Sequence, residues 1–336
     1  MSEEQKSRWQ ILERLKPHKR PFKRAATPPR HDWRRLPRQR IAFWACAVLT
    51  TVGAGLYVRA EIHRRVERLT DHSPANISRT GGTLLIAGGG QLSDMIRNRF
   101  VELAGGHQAR IVVIPATAVD ASTVAQYRAM WKEFDIASVD VLHADSRTEA
   151  DNPEFSLIIE HSTGVWLGGG QQTWLAAWYG RTHVERRLKD LLARNGVIGG
   201  TSAGAAVMSS VMIAGGRERP TMGRGFDLIP GAIIDQHFVK RNRMRRLQEA
   251  IKQHPDLIGF GIDEGTALQY GVESGSFNVI GQSCVVACVV RTESDQRPNF
   301  HVEFFNSGDQ FDVERLRRGG AVPPSYIDVD AILLGE

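Results

Sequence analysis

The stretch GVIGGTSAGAAVMSSVMI, residues 196–213, decides the fold class. It begins with a short apolar run that predicts a buried strand, and a helix is predicted to follow directly. Between the two lies the pattern Gly200-Thr201-Ser202-Ala203-Gly204. Glycines on both sides allow a sharp turn that exposes the serine hydroxyl above the end of the strand, with the helix behind it. The stretch therefore predicts a nucleophile elbow in an α/β protein, and a helix-capping turn is the alternative interpretation.

Four more apolar runs lie upstream of the elbow and alternate with amphipathic segments. The predicted strands are 83–90, 109–117, 137–144, 164–170 and 196–203, and the predicted helices are 91–105, 124–134 and 184–196. Such an alternation is typical of a mainly parallel sheet sandwiched by helices. Additional strands are expected from about residue 278 to residue 312. In an open sheet of this kind, the functional site lies in the loops at the carboxyl ends of the strands.

A nucleophilic serine needs a base, and the base needs an acid that orients it. His237 follows the apolar run GAIID, and Glu264 follows the apolar run LIGFGI. Because polar side chains at the ends of strands in one parallel sheet meet at the same edge, we expect both to approach Ser202. Taken singly, a buried structural histidine and a turn acid are the alternatives. An α/β-hydrolase order would instead require Ser202, then Asp263 or Glu264, then His301.

Three motifs occur together in a fixed order: GGTSAGA (199–205), DQHF followed by R-x-R-x-x-R-L (235–247), and GIDEGTAL (261–268). Together they resemble the cyanophycinase family of serine peptidases, which is related to the aspartyl dipeptidases and built on a class-I-glutamine-amidotransferase-like sheet. The likeness spans about residues 82 to 315. It implies Ser202 as the nucleophile, His237 as the general base and Glu264 as the orienting acid.

The same resemblance implies a substrate pocket and a substrate. The pocket residues would be Gln172, Asp235, Gln236, Arg241, Arg243 and Arg246. The family commonly has an acidic residue before the pocket glutamine, whereas this chain has Gln171, so its fine specificity is expected to differ. The implied substrate is cyanophycin, a polyaspartate chain bearing arginine on its side-chain carboxyls, and the product is the β-aspartyl-arginine dipeptide. This chemistry requires neither a metal nor an organic cofactor.

A cluster of basic residues near these motifs predicts a ligand of its own. Lys240, Arg241, Arg243, Arg245 and Arg246 lie within seven residues of one another, and such like charges repel unless anions neutralise them. A substrate rich in carboxylates would neutralise them, and a solvated basic helix face is the alternative.

Two glycine triplets follow predicted strands. Backbone amides at Gly169, within Gly168-Gly169-Gly170, and at Ala203 are predicted to form an oxyanion hole. The triplet Gly88-Gly89-Gly90 lacks the full G-x-G-x-x-G spacing, so dinucleotide binding is not favoured. A tight turn is the alternative interpretation of both triplets.

The basic charge of the chain comes from one end. Residues 1–40 carry 13 Lys and Arg against four Asp and Glu, a net charge of +9 in a chain of +6 overall. Proline-rich and without apolar periodicity, this segment is predicted to be a flexible tail. The other residues carry 30 basic and 33 acidic side chains, or −3, so the sequence does not favour nucleic acid as a partner.

Residues 41–58, IAFWACAVLTTVGAGLYV, contain no charged residue. As a helix this run is about 27 Å long, which is enough for a bilayer core. We expect an uncleaved anchor, with a buried helix and a cleaved signal peptide as alternatives. Thirteen basic residues before the run against five arginines after it place the N-terminus in the cytoplasm. The sequence thus predicts a single-pass membrane protein with a stalk at 59–80 and a catalytic domain at 81–336 outside the cytoplasm.

The remaining signals leave alternatives open. Cys46, Cys284 and Cys288 have no metal-binding spacing and are expected to be small buried apolar residues. An aspartyl dipeptidase that cleaves only short peptides, an esterase that uses His301, and a non-catalytic envelope binding module are the rival functions. Whether the chain forms a homodimer is not decided by any sequence feature.

Overall fold

The computed structural model describes residues 81–292, 298–313 and 316. The predicted tail (1–40), anchor (41–58) and stalk (59–80) lie outside these residues. Within the described ranges, every helix is too short or too polar to cross a bilayer.

The described part contains fourteen strands and eight α-helices. The strands are β1 (Thr83–Ala87), β2 (Arg110–Ala116), β3 (Ser138–Val141), β4 (Gly164–Gly170), β5 (Val197–Thr201), β6 (Val211–Gly215), β7 (Thr221–Arg224), β8 (Ala232–Gln236), β9 (Ile258–Ile262), β10 (Thr266–Gly271), β11 (Ser276–Gly281), β12 (Cys284–Thr292), β13 (Pro298–Asn306) and β14 (Gln310–Asp312). The helices are α1 (Asp94–Ala104), α2 (Ala121–Lys132), α3 (Arg147–Ala150), α4 (Leu157–Glu160), α5 (Gln172–Tyr179), α6 (His183–Ala193), α7 (Ala203–Ala206) and α8 (Met244–Gln253). Strands β1 to β5 each lie within the range predicted from the apolar runs.

The large sheet has eight strands in the order β14-β11-β10-β1-β5-β4-β2-β3. Strands β1, β5, β4, β2 and β3 are parallel, and β10, β11 and β14 join one edge in antiparallel pairing. The parallel strands are near-continuous apolar runs because both faces are covered. Helices α1 and α2 pack on one face, and α5, α6 and α7 pack on the other. The predicted α/β fold with a mainly parallel sheet between helices is confirmed.

A second, four-stranded sheet has the order β13-β12-β9-β8. Its strands β8 and β9 are parallel, and α8 packs on it through Leu247 and Ile251 against Val286 and Cys288. His237 follows β8 and Glu264 lies just beyond β9, whereas Ser202 follows β5 of the large sheet. The expectation that all three side chains extend from one sheet is therefore wrong. An apolar run predicts a strand but not which sheet the strand joins, since that depends on pairing with distant segments.

The helix predicted after Ser202 is also shorter than the pattern suggested. Helix α7 has only four residues, and the chain then forms the hairpin β6–β7. Two features end the helix early. Val211 and Ile213 are β-branched and favour a strand. In addition, the buried Ser209 hydroxyl accepts a hydrogen bond from the Ile234 N–H of β8, 3.1 Å away, which holds the chain away from a helical path.

Candidate active site

Ser202 lies on a sharp turn between β5 and α7. Its backbone has φ of +52° and ψ of −108°, a conformation that few non-glycine residues adopt. A Cβ at Gly204 would lie 2.1 Å from the carbonyl oxygen of Leu167, and a Cβ at Gly200 would lie 2.7 Å from the carbonyl oxygen of Gly204. Only glycine fits at either position, because both contacts are with backbone atoms. The G-x-S-x-G pattern thus lets α7 pack directly on β4 and lifts the serine side chain out of the sheet.

His237 brings its ring to the serine hydroxyl from the second sheet. Its Nε2 lies 2.8 Å from Ser202 Oγ, and its Nδ1 lies 2.6 Å from Glu264 Oε1. Its backbone also has a positive φ, +52°, and its N–H donates to the carbonyl oxygen of Gly88 at 2.7 Å. The structure therefore brings together the serine, the histidine and the glutamate that the sequence motifs selected, in one continuous chain of hydrogen bonds.

The surroundings of His237 favour the neutral imidazole. Its side chain is only 9% exposed, and burial lowers its pKa below the ordinary histidine value. The hydrogen bond that His237 Nδ1–H donates to Glu264 opposes that shift, as does the negative charge of Glu264, while the positive charges of Arg241 and Arg243 add to it. A neutral imidazole with Nε2 facing a hydroxyl is able to accept the hydroxyl proton.

The two predicted oxyanion donors lie beside Ser202. Ala203 is the first residue of α7, so its N–H points out of the helix N-terminus. Gly169 lies near the end of β4, and a Cβ at this position would be 3.8 Å from Ser202 Cβ. The two residues therefore flank Ser202, Ala203 along the chain and Gly169 on the neighbouring strand β4.

The basic segment after His237 contains an acid that neutralises part of it. The Asp235 carboxylate is fully buried, accepts a hydrogen bond from Arg246 Nε at 3.0 Å and a second from Arg246 Nη2, and lies 3.3 Å from Arg243 Nη1. Burial raises the pKa of the Asp235 carboxyl, and the two guanidinium groups oppose that rise. Arg243 also donates to the backbone carbonyl of Gln236, whose own side chain is buried. Two of the arginines are therefore already occupied by a carboxylate of the chain.

The other predicted pocket residues differ in whether their side chains are already bonded within the protein. The Gln172 side-chain amide donates to the Ile213 carbonyl oxygen at 3.0 Å, and Arg246 Nη1 donates to the Gly216 carbonyl oxygen at 2.8 Å. Both side chains thus hold the β6–β7 hairpin. Arg241 is exposed, and within the described part of the chain no acid pairs with it. Arg241 is therefore the predicted pocket residue whose charge remains available to a ligand.

His301, the base of the α/β-hydrolase alternative, has a different partner. It lies on β13, the edge strand of the second sheet, and its Nε2 is 2.7 Å from Glu303 Oε1. The hydroxyl of Ser202 meets His237 instead. Asp263, the other acid of that alternative, accepts hydrogen bonds from the Lys240 N–H and the Ser283 hydroxyl. The geometry thus favours His237 with Glu264.

The described residues contain no cluster of three or more His, Cys, Asp or Glu side chains placed to hold a metal ion. Cys284 and Cys288, which are both in β12, are free thiols. Burial raises the pKa of the Cys288 thiol to about 12, as expected of an unreactive core residue.

Comparison with known sequences identifies the family. Residues 84–277, which include Ser202, His237 and Glu264, match the family model of peptidase family S51. The chain belongs to peptidase family S51.

Curated relatives of this S51 peptidase carry the name cyanophycinase. The one from Synechococcus elongatus is 33% identical over 218 residues, covering 61% of this chain and 67% of the relative. The one from Geminocystis herdmanii is 35% identical over 199 residues, covering 56% of this chain and 73% of the relative. The predicted resemblance is confirmed, and the chain is a serine-type peptidase.

A solved structure supports the fold. The crystal structure of a peptidase from an acI-B1 Actinobacterium aligns with a TM-score of 0.54 at 22% identity, covering 69% of this chain and 97% of that one.

The triplet Gly88-Gly89-Gly90 of this S51 peptidase has a role that the sequence did not predict. A Cβ at Gly89, where φ is +108°, would lie 2.4 Å from His237 Cε1, and a Cβ at Gly90 would lie 3.0 Å from Glu264 Oε2. The Gly89 carbonyl oxygen also accepts the Gly265 N–H at 3.2 Å. The triplet is a turn without side chains against which the imidazole and the carboxylate pack. Its position directly after the first strand was the only available signal, and it did not reveal which side chains approach it.

Proposed function

We propose that the chain hydrolyses cyanophycin or related aspartyl peptides to β-Asp-Arg dipeptides, with Ser202, His237 and Glu264 as its catalytic triad. The observation that carries the proposal is the continuous set of contacts from hydroxyl to imidazole to carboxylate, at 2.8 and 2.6 Å. Both distances lie within hydrogen-bond range, as general-base activation of a serine requires.

In the first step, Ser202 Oγ attacks the carbonyl carbon of the scissile amide while His237 Nε2 takes the hydroxyl proton. Glu264 accepts the Nδ1–H hydrogen bond, which leaves Nε2 as the acceptor and stabilises the imidazolium that forms. The negative charge that develops on the carbonyl oxygen is stabilised by the backbone amides of Gly169 and Ala203.

In the second step, the imidazolium donates its proton to the leaving amine, and the carbon–nitrogen bond breaks. An acyl ester on Ser202 remains. His237, neutral again, removes a proton from a water molecule that attacks the ester, and the proton then returns to Ser202 Oγ as the product acid leaves. Burial of the imidazole supports this cycle because it keeps the base neutral near pH 7.

The substrate class is supported by two independent observations. Relatives named cyanophycinase share 33% to 35% of aligned residues with this chain. In cyanophycin, each arginine is attached through its α-amino group, so its α-carboxylate is free. The exposed guanidinium of Arg241, in the loop that carries His237, is suited to bind such a carboxylate.

The proposed location follows from the N-terminal sequence alone. The uncharged run at 41–58 and the basic excess before it support a membrane anchor with the peptidase domain outside the cytoplasm. An extracytoplasmic enzyme would suit the use of polymer released by other cells. A reporter fused to the C-terminus that is active only in the cytoplasm would overturn this orientation.

The test of the activity uses the purified full-length chain with cyanophycin and, separately, with a panel of aspartyl dipeptides. The expected result is release of β-Asp-Arg from the polymer, and a decrease in kcat/KM of about 10⁴-fold or more in Ser202→Ala, because the nucleophile is removed. A fluorophosphonate probe should label the wild type at Ser202 and leave the variant unlabelled. Thermal unfolding serves as the control, since loss of one half-buried hydroxyl should leave the unfolding temperature nearly unchanged.

The rival functions give different results in the same assay. Cleavage of dipeptides with intact polymer would indicate an aspartyl dipeptidase. Retained turnover in His237→Ala with loss in His301→Ala would indicate the esterase alternative. Absence of probe labelling in the wild type would indicate a binding module and would contradict the proposed mechanism.

A further inference from the structure

The loop at residues 237–243, which joins β8 to α8, determines where the His237 ring lies. It is closed by three backbone hydrogen bonds of its own, each at 3.0 Å: from the Arg241 N–H to the His237 carbonyl, from the Asn242 N–H to the Val239 carbonyl and from the Arg243 N–H to the Phe238 carbonyl. Two of its residues have positive φ, His237 at +52° and Asn242 at +47°. Such a strained and compact loop keeps its shape only when surrounding contacts determine it.

One acid outside the loop makes such a contact. Asp263 Oδ1 accepts the N–H of Lys240 at 3.0 Å, in the middle of the loop. Asp263 Oδ2 accepts the hydroxyl of Ser283 at 2.8 Å. The residue is 9% exposed, so these contacts replace most of its hydration.

Ser283 is itself fixed by the segment that carries the proposed catalytic acid. Its N–H donates to Thr266 Oγ1 at 2.9 Å, and Thr266 is fully buried in β10. The Asp263 N–H also lies 3.3 Å from the Cys284 carbonyl oxygen, next to Ser283. A chain of hydrogen bonds therefore runs from Thr266 through Ser283 and Asp263 to the backbone of Lys240.

Two consecutive acids thus face different groups. Glu264 contacts the imidazole of His237, while Asp263 contacts the backbone three residues further along the same loop. We propose that Asp263 is a positioning residue, which fixes the 237–243 loop and through it holds the His237 ring against Ser202 and Glu264. The proposal rests on the proposed triad, because it assigns Asp263 a role in supporting that base.

The contacts of Asp263 distinguish positioning from acid–base work. An asparagine keeps an oxygen for the Lys240 N–H, and its amide can donate to the Ser283 hydroxyl, which is able to accept. An alanine leaves the Lys240 N–H without its acceptor and removes the link to Ser283, so the loop is released. A positioning role therefore tolerates asparagine and not alanine, whereas a role as the orienting acid tolerates neither.

The experiment compares Asp263→Asn, Asp263→Ala, Ser283→Ala and Glu264→Gln in the full-length chain, with cyanophycin as the substrate. We expect Asp263→Ala to lower kcat about 10²-fold through misplacement of the imidazole. Asp263→Asn should stay within about threefold of the wild type, and Ser283→Ala should lie between the two. Glu264→Gln should lower kcat about 10⁴-fold, because the amide no longer stabilises the imidazolium.

The pH profile of kcat/KM adds a readout that simple destabilisation would not change. His237 is flanked by Glu264, Arg241 and Arg243, and burial keeps its pKa low. Release of the loop in Asp263→Ala admits water to the ring, so the pKa of His237 should rise and the acid limb should move to higher pH. In Asp263→Asn, the acid limb should stay where it is in the wild type.

The proposal would be overturned by unchanged kcat and acid limb in Asp263→Ala, or by an Asp263→Asn variant as impaired as the alanine variant. A third result would also overturn it. If activity in Asp263→Ala fell only in proportion to the fraction of protein that the fluorophosphonate probe labels at Ser202, and the acid limb did not shift, the residue would stabilise the fold only. Near-normal turnover in Glu264→Gln contradicts the proposed triad instead, so the two failures are distinguishable.

Discussion

Ser202 and His237 meet from two different sheets, and the structure fixes them in different ways. Ser202 is positioned by a short stretch of chain, in which Gly200 and Gly204 let the elbow close against neighbouring backbone. His237 is positioned by contacts with three segments distant in sequence: the glycine turn at 88–90, the acid after β9 and the elbow itself. The position of Ser202 therefore depends on local packing within the large sheet, and the position of His237 depends on how the second sheet and its loops assemble around it.

The difference predicts that a small change within the elbow damages the fold and the activity together. In Gly204→Ala, the new methyl group would meet the Leu167 carbonyl oxygen at 2.1 Å, so α7 must move away from β4. We expect a loss of about 3 kcal/mol in the free energy of unfolding, the upper range for overpacking a core. Because Ser202 directly precedes α7, activity should fall by about 10²-fold or more. Denaturant unfolding and cyanophycin hydrolysis measure the two effects.

A matched control is available at Gly223, where a Cβ would come no closer than 3.2 Å, to the Ala214 Cβ, so that a shift of only a few tenths of an ångström accommodates it. Gly223→Ala should unfold within about 1 kcal/mol of the wild type. A Gly204→Ala protein as stable and active as this control would mean that the elbow does not depend on close packing against β4.

The same difference explains how much of the molecule could be predicted from sequence. The elbow and the five parallel strands have local signals, a G-x-S-x-G pattern and apolar runs, and the structure contains them as expected. The division into two sheets has no such signal, because pairing of β8 with β9 and β12 joins distant segments. The hairpin β6–β7 was missed for a related reason, since the periodicity of a short apolar run does not distinguish a strand from a buried helix.

The arginine-rich segment at 240–246 shows a second reason why the sequence predicts the site only in part. Its charge pattern predicted an anionic ligand, and part of that anion is Asp235 of the chain itself, bound by Arg246 and Arg243. Asp235 was visible in the sequence two residues before His237, but its complete burial was not. A charge count cannot separate arginines that pair internally from those, such as Arg241, that remain exposed.

A second prediction tests the part of the site that contains His237, which is positioned by segments distant in sequence. In Gly89→Ala, a methyl group would lie 2.4 Å from the His237 ring, and φ of +108° strains any residue with a Cβ. We expect kcat/KM to fall about 10²-fold, because the imidazole is displaced from Ser202. The free energy of unfolding should fall by only about 1–2 kcal/mol, the cost of the backbone strain.

Gly275 provides the control, since its φ is +64° and a Cβ there would meet no atom within 4 Å. Gly275→Ala should show a similar loss of stability, about 1 kcal/mol, with normal kcat/KM. If both alanine variants were equally active, the glycine turn would not position the base, and the contrast between the two halves of the site would disappear.

The smallest expected effect concerns Arg241, an exposed charge in the loop that begins at His237. Arg241 lowers the pKa of His237, because its positive charge disfavours the imidazolium. In Arg241→Ala, with Glu264 and Arg243 still in place, the pKa of His237 should rise. Since His237 must be neutral to act as the base, activity should then be lost at a higher pH on the acid side.

KM for cyanophycin should also rise about 10-fold in Arg241→Ala if Arg241 binds a substrate carboxylate. Arg245, exposed on α8, is the matched control, and equal effects of Arg245→Ala on KM and the acid limb would show that only overall charge matters.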